Sequence, residues 1–157
     1  MRCEVGRVVH GDQQDSVSRW QAVTDGTLTN PAVPPATTGT TAPGITGAAY
    51  INNDIAPATA TTLFDLDTGN DRFSVQSLAN AGTLAPSGKL CVGAAPDDGF
   101  DIYYSTKQGM NYGYGALAVA GVRGLYRVDV LTGRATDLGT FPGSSHVTDL
   151  ALPLDQD

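Results

Sequence analysis

Leu63-Phe64-Asp65-Leu66-Asp67-Thr68-Gly69 recurs further along the chain as Leu125-Tyr126-Arg127-Val128-Asp129-Val130-Leu131-Thr132-Gly133. Each copy alternates apolar and polar residues and then runs into an Asp and a Thr-Gly turn. Successive side chains on a strand point to opposite faces. The alternation therefore predicts Phe64, Leu66, Tyr126 and Val128 on a buried face, with Asp65, Arg127 and Asp129 on a more exposed one. Each copy also follows a Gly-Ala strand start, at Gly47-Ala48 and Gly115-Ala116. A β-unit is repeated in register.

Working outward, residues 45–51, 61–67, 72–77 and 89–93 read as one strand quartet, interrupted by loops at 52–60 and 78–87. Residues 100–105, 115–120, 125–130 and 135–141 read as a second, and turn residues punctuate both. Residues 147–152 would begin a third. Before the first quartet, 4–10 and 16–23 read as strands around a turn at 11–15, the latter carrying Trp20, and Thr24-Asp25-Gly26 supplies turn chemistry. Residues 30–44, with Pro31, Pro34, Pro35 and Pro43, form a long Pro/Thr-rich loop. Loops this long inside a compact domain are usually functional or mobile. No window offers a capped helix with a 3.6-residue period. The fold expected is all-β, one domain over residues 1–157, with antiparallel four-stranded sheets in a partial β-propeller-like repeat. The alternative is a β-sandwich of two such sheets.

With 157 residues the chain is long enough to bury roughly 70% of its unfolded surface. A net charge of −7 with nine Lys and Arg argues against nucleic acid as a partner and disfavours anionic membranes. Apolar runs such as 116–122 fall far short of the ~20 residues of a spanning helix, so a soluble protein with no membrane partner is expected. Residues 1–7 lack the apolar core and cleavage site of a secretory signal. Few lysines with abundant Thr, Gly, Ala and Asn nevertheless read as an exported bacterial protein, extracellular or periplasmic. Cys3 and Cys91 can make one bridge or remain two buried thiols, and unpaired strand cysteines are the plainer reading.

Several constellations bear on chemistry. Asp65, Asp67, Gly69, Asn70 and Asp71 imitate a calcium loop but lack its distal bidentate Glu, and the sister repeat has Arg127 at the place of Asp65. A solvated hairpin turn is the better reading, and Asp97-Asp98 beside Asp101 reads as a solvated loop rather than a site. His10 with Asp12 and Asp15 offers too few ligands for zinc. No metal and no cofactor is expected. Ser144, Ser145, His146 and Asp149 collect within six residues the side-chain types of a hydrolytic triad, in which a carboxylate orients an imidazole toward a hydroxyl. Strand geometry would let Ser144 share a face with His146, while Ser145 would diverge, and no Gly-x-Ser-x-Gly elbow is present. A Ser87–Lys89 dyad is weaker still. Tyr103, Tyr104, Tyr112 and Tyr114 supply flat amphipathic rings of the kind that stack on sugars or fill interfaces, alongside the packing role tyrosines play in β-sheets.

The runs Ile45-Thr46-Gly47-Ala48-Ala49-Tyr50-Ile51-Asn52-Asn53 and Ala60-Thr61-Thr62-Leu63-Phe64-Asp65-Leu66-Asp67 resemble the bacterial family known as domain of unknown function 4394. So do Gly99-Phe100-Asp101-Ile102, Gly124-Leu125-Tyr126, the stretch from Leu131 to Gly139, and the closing Val147-Thr148-Asp149-Leu150-Ala151-Leu152-Pro153. The resemblance covers roughly Gly44 to Leu154, and Met1 to Trp20 follows the pattern poorly. It implies a propeller-like, exported protein of which this chain would be the C-terminal half, and it implies no catalytic residues. The expected function is a non-catalytic extracellular binding or scaffold module that contacts a glycan or protein through loops and exposed Tyr. The alternative is a small esterase-like serine hydrolase. About two and a half blades would leave sheet faces open, so a homodimer is expected.

Overall fold

The computed structural model describes residues 24–154 apart from 55, 57 and 144. The strands expected at 4–10 and 16–23, together with Cys3, His10, Asp12, Asp15 and Trp20, lie outside the described residues. The fold is nearly all β. Ten strands occur among the described residues: β1 (Thr29–Asn30), β2 (Thr40–Thr41), β3 (Ile45–Tyr50), β4 (Leu63–Asp67), β5 (Arg72–Ser77), β6 (Thr83–Lys89), β7 (Gly99–Ser105), β8 (Met110–Val119), β9 (Val122–Val128) and β10 (Ala135–Thr140). The helical element among them is a single 3-10 turn at Ala79–Ala81, and no helix there is long and apolar enough to cross a membrane.

The strands form a six-stranded sheet of order β2-β1-β6-β5-β4-β3 and a four-stranded sheet of order β10-β9-β8-β7. Within them, β3 to β6 and β7 to β10 are two antiparallel four-stranded meanders, as the repeat predicts. β1 adds to the first sheet by a short parallel pairing with β6, and β2 closes that edge. The two copies of the motif become β4 and β9. In both, the aromatic and the following aliphatic residue are buried: Phe64 and Leu66 in one, Tyr126 and Val128 in the other.

These side chains meet in one core between the sheets, with Phe73, Leu90, Phe100, Ile102 and Leu117. Phe64 stacks on Phe73 at 5.1 Å between centroids, and Phe73 meets the edge of Phe100 on the second sheet at 5.2 Å. Offset and edge-on pairs of this kind add to the burial term. The sheets approach closely where β3 passes β7. A Cβ on Gly47 would stand 2.8 Å from Phe100 Cβ, so only glycine allows the contact.

Three expectations are corrected. The strand placed at 89–93 lies earlier, at Thr83–Lys89, inside what read as a loop. Its Pro and Gly content obscured it, yet Pro86 is accommodated beside a bulge opposite Phe73 and Ser74, where a missing N–H is tolerated. Residues 147–152 form no strand. They run as a strap along the outer side of the second sheet, where Arg123 Nη1 donates to the Val147 carbonyl at 2.9 Å and the Leu152 N–H donates to Asp101 Oδ2 at 2.7 Å.

The third correction concerns Asp65, expected on an exposed face but only 1% exposed, with Asp67 at 0%. β4 is an inner strand between β3 and β5, and the 24–44 segment, which carries β1 and β2 at the sheet's far edge, also reaches the β4–β5 hairpin. Gly69 N–H donates to the Gly44 carbonyl, Arg72 reaches Asn30 Oδ1 at 3.0 Å, and a Cβ on Gly44 would stand 2.7 Å from Asp67 Oδ1. Arg127 and Asp129, on the sister strand, are exposed as expected.

Candidate functional site

The second sheet turns one face to the core and one outward. Phe100 and Ile102 on β7 are buried in the core, so alternation sends Asp101 and Tyr103 outward. The β7–β8 register sets Tyr103 opposite Tyr112 and Asp101 opposite Tyr114, and the β8–β9 register sets Tyr114 opposite Arg127. Tyr103, Tyr112 and Tyr114 thus share the outer face, each half-buried. Tyr104 has the opposite parity. It pairs with Asn111 at the margin of the core face, beside a hydrogen-bonded group in which Asn53 Oδ1 accepts from the Tyr104 N–H and Asn111 bonds Asn52.

Sequence reasoning missed Arg127 as a member of this face. Its guanidinium lies 4.8 Å from the centroid of the Tyr112 ring, a cation–π arrangement. The signal was present, since the repeat already sent Arg127 outward, but the cross-strand register that puts it beside Tyr112 and Tyr114 depends on the hairpin turn. That turn is the two-residue Ala120-Gly121, both at positive φ, 50° and 79°, as the tightest hairpins require.

The lower part of the outer face is covered by the strap. Ala116 and Ala118 are buried there, and Gly99 leaves room for Asp149. Arg123 is the anchor: besides Val147 it contacts the Asp97 carboxylate and lies 3.5 Å from Asp98 Oδ1. Asp98, expected in a solvated loop, is instead buried, because its Oδ1 accepts from the Ala118 N–H beside Arg123. Burial pushes its carboxyl above the usual range, opposed by that backbone bond and by Arg123.

Within the strap, His146 Nε2 stands 3.7 Å from Asp97 Oδ2, and its side chain is 71% exposed. Asp149 Oδ1 instead accepts from the Leu150 N–H at 2.8 Å. Ser145 is exposed, and Ser144 lies outside the described residues. The carboxylate beside the imidazole is therefore Asp97, four strands away in sequence.

On the first sheet a buried polar face surrounds Asp65. Ser74 pairs with it across β5, and both Asp65 Oδ2 and Ser74 Oγ are buried without a hydrogen-bond partner. Desolvation, reinforced by Asp67, raises the Asp65 carboxyl to about 7. Asp67 is better satisfied, accepting from Asn70 N–H, Asn70 Nδ2 and Arg72 Nη2. Asp129 closes its turn likewise, its Oδ1 accepting from the N–H groups of Leu131 and Thr132. Both repeat carboxylates thus serve their hairpins. Among the described residues no three His, Cys, Asp or Glu side chains gather as metal ligands. Cys91 is a free, exposed thiol at φ 61°, beside an open depression of about 340 Å³ lined by Asn70, Asp71, Lys89, Val92 and Gly93.

A family model described as a domain of unknown function (DUF4394) matches residues 6–151, nearly the whole chain and including the N-terminal segment that followed the pattern poorly. No curated protein and no solved structure matches.

Proposed function

The chain belongs to the DUF4394 family, and from that premise we propose that it is a non-catalytic binding module of an exported protein, contacting a glycan or protein through its tyrosine face. The observation that carries this reading is the convergence of Tyr103, Tyr112 and Tyr114 with Arg127 on one outward face of a rigid sheet. Rings held by strand pairing lose little freedom on binding, and Tyr offers both an apolar face and a hydroxyl. The two meanders would stand as neighbouring propeller blades, with the free faces partly covered by a second copy in a dimer. The hydrolase reading draws no support from the strap, where Asp149 bonds backbone and His146 faces Asp97.

Chemical-shift mapping against a panel of soluble oligosaccharides and candidate proteins tests the module. Tyr114→Ala should weaken binding by at least about tenfold, or ~1.4 kcal/mol, with the melting temperature little changed. Full affinity in Tyr112→Ala and Tyr114→Ala alike would refute the assignment. Turnover of a chromogenic ester that disappears in His146→Ala would establish the hydrolase instead.

A further inference from the structure

Resting on that reading, we propose that the Tyr112–Tyr114–Arg127 face recognises carboxylate-bearing sugars, of the uronic acid type. Among the described residues Arg72 is bonded to Asp67 and Asn30, and Arg123 to Asp97, Asp98 and the strap. Arg127, exposed in a chain of net charge −7, forms no ion pair and donates no hydrogen bond among the described residues; it lies over the Tyr112 ring, and, after the Thr132 N–H bond, its charge helps hold the Asp129 carboxyl below the usual range. A guanidinium stacked flat on an aromatic face would leave its donor edge free past the ring. That edge matches a carboxylate bidentately.

Directly across the ladder stands Tyr114, and paired residues on one face lie about 5 Å apart at Cβ. A pyranose ring stacked by its C–H face on Tyr114 would carry a ring carboxylate within reach of Arg127. A uronic acid supplies the apolar face and the anion in a single unit. An acidic peptide side chain supplies the anion without the ring face. Nucleic acid demands several cations along its backbone, whereas this face offers one.

Of the neighbouring acids, Asp129 feels the Arg127 charge without forming an ion pair with it, which leaves the guanidinium's hydrogen-bonding edge for a ligand. Asp101 spends Oδ1 on the Ile102 N–H and Oδ2 on the Leu152 N–H, and Asp129 Oδ1 is held by its turn. Charges elsewhere are screened beyond about 8 Å at physiological ionic strength.

The test is calorimetric titration of the full chain with oligogalacturonate and oligomannuronate, and with their methyl esters, which remove the charge and keep the rings. Binding of an acid oligomer, weakened at least about tenfold by esterification, by Arg127→Lys and by Tyr114→Ala, is the expected result. Arg127→Lys keeps the charge and the fold while removing the planar fork, and an unchanged melting temperature verifies that it is folded. Equal affinity for acid and ester, lost in Tyr114→Ala, overturns the carboxylate assignment and leaves the binding module standing. Acid binding indifferent to both substitutions places the site elsewhere and overturns the proposal. Binding of none of the four probes overturns the carboxylate assignment, and a null result in the wider panel would then remove the module as well.

Discussion

Replacing Asp65 by Asn should stabilise the protein at neutral and alkaline pH, and the size of the gain follows from the burial of this carboxyl. Asp65 is 1% exposed, its Oδ2 has no partner, and its carboxyl titrates at about 7 in place of the usual 3.8. A raised folded value means that the protonated form is the one the fold prefers. Its contribution is fully present below the unfolded value and is lost as pH rises through the folded one. At about 1.4 kcal/mol per pKa unit, the whole excursion amounts to about 4 kcal/mol. Between pH 5 and pH 8 the unfolded chain is already ionised, so the wild type should lose about 2–3 kcal/mol across that interval. That is a large part of a domain's net stability of about 5–15 kcal/mol. Asn keeps the shape and stays neutral, and its amide can donate to Ser74 Oγ across the ladder.

Urea unfolding of both proteins, followed by intrinsic fluorescence at unit pH steps from 5 to 8, makes the comparison. Asp98 is also raised and contributes a slope of the same sign to both, so the difference between the two profiles is the quantity that reports on Asp65. The Asp65→Asn variant should match the wild type near pH 5 and exceed it by about 2 kcal/mol or more at pH 8. Parallel profiles, or a wild type that gains stability from pH 5 to 8 relative to the variant, would refute a buried, neutral Asp65.

Three further outcomes are expected. Tyr126→Ala empties part of the core and should cost ~3–5 kcal/mol in urea melts, against under ~1 kcal/mol for the exposed Arg127→Ala; equal losses would show that the register of β9 is misassigned. Calcium titration should reveal no site at 65–71 tighter than the ~10⁻³ M of weak extracellular modules, because Asp67 is already bonded to Asn70 and Arg72; micromolar binding abolished by Asp67→Ala would overturn this. Light scattering on the size-exclusion peak should show a dimer at tens of micromolar, and a strict monomer without dye-detectable apolar surface would exclude pairing through open sheet faces.

Alternation and turn chemistry act between neighbours along the chain, which is why the sequence alone determined so much of this fold. The motif ending in Asp67-Thr68-Gly69 and Asp129 through Gly133 carries its own hairpins, and its apolar positions had to find one another. Two meanders and the burial of Phe64, Leu66, Tyr126 and Val128 follow from that. Alternation separates Tyr103 from the adjacent Tyr104, but it took the register of β7 against β8 to bring Tyr103, Tyr112 and Tyr114 to one face, and the sequence had grouped all four by type. What lies over a sheet's second face is a long-range matter. No local pattern in β4 distinguishes an Asp65 in water from one enclosed by the tertiary fold, just as none places the 147–152 strap beside Arg123 or brings His146 to Asp97. Arg127 belongs with Tyr112 and Tyr114 only through the register of β8 against β9, because side chains converge across a ladder according to which residues pair, and pairing is decided by the turn and the shared core together.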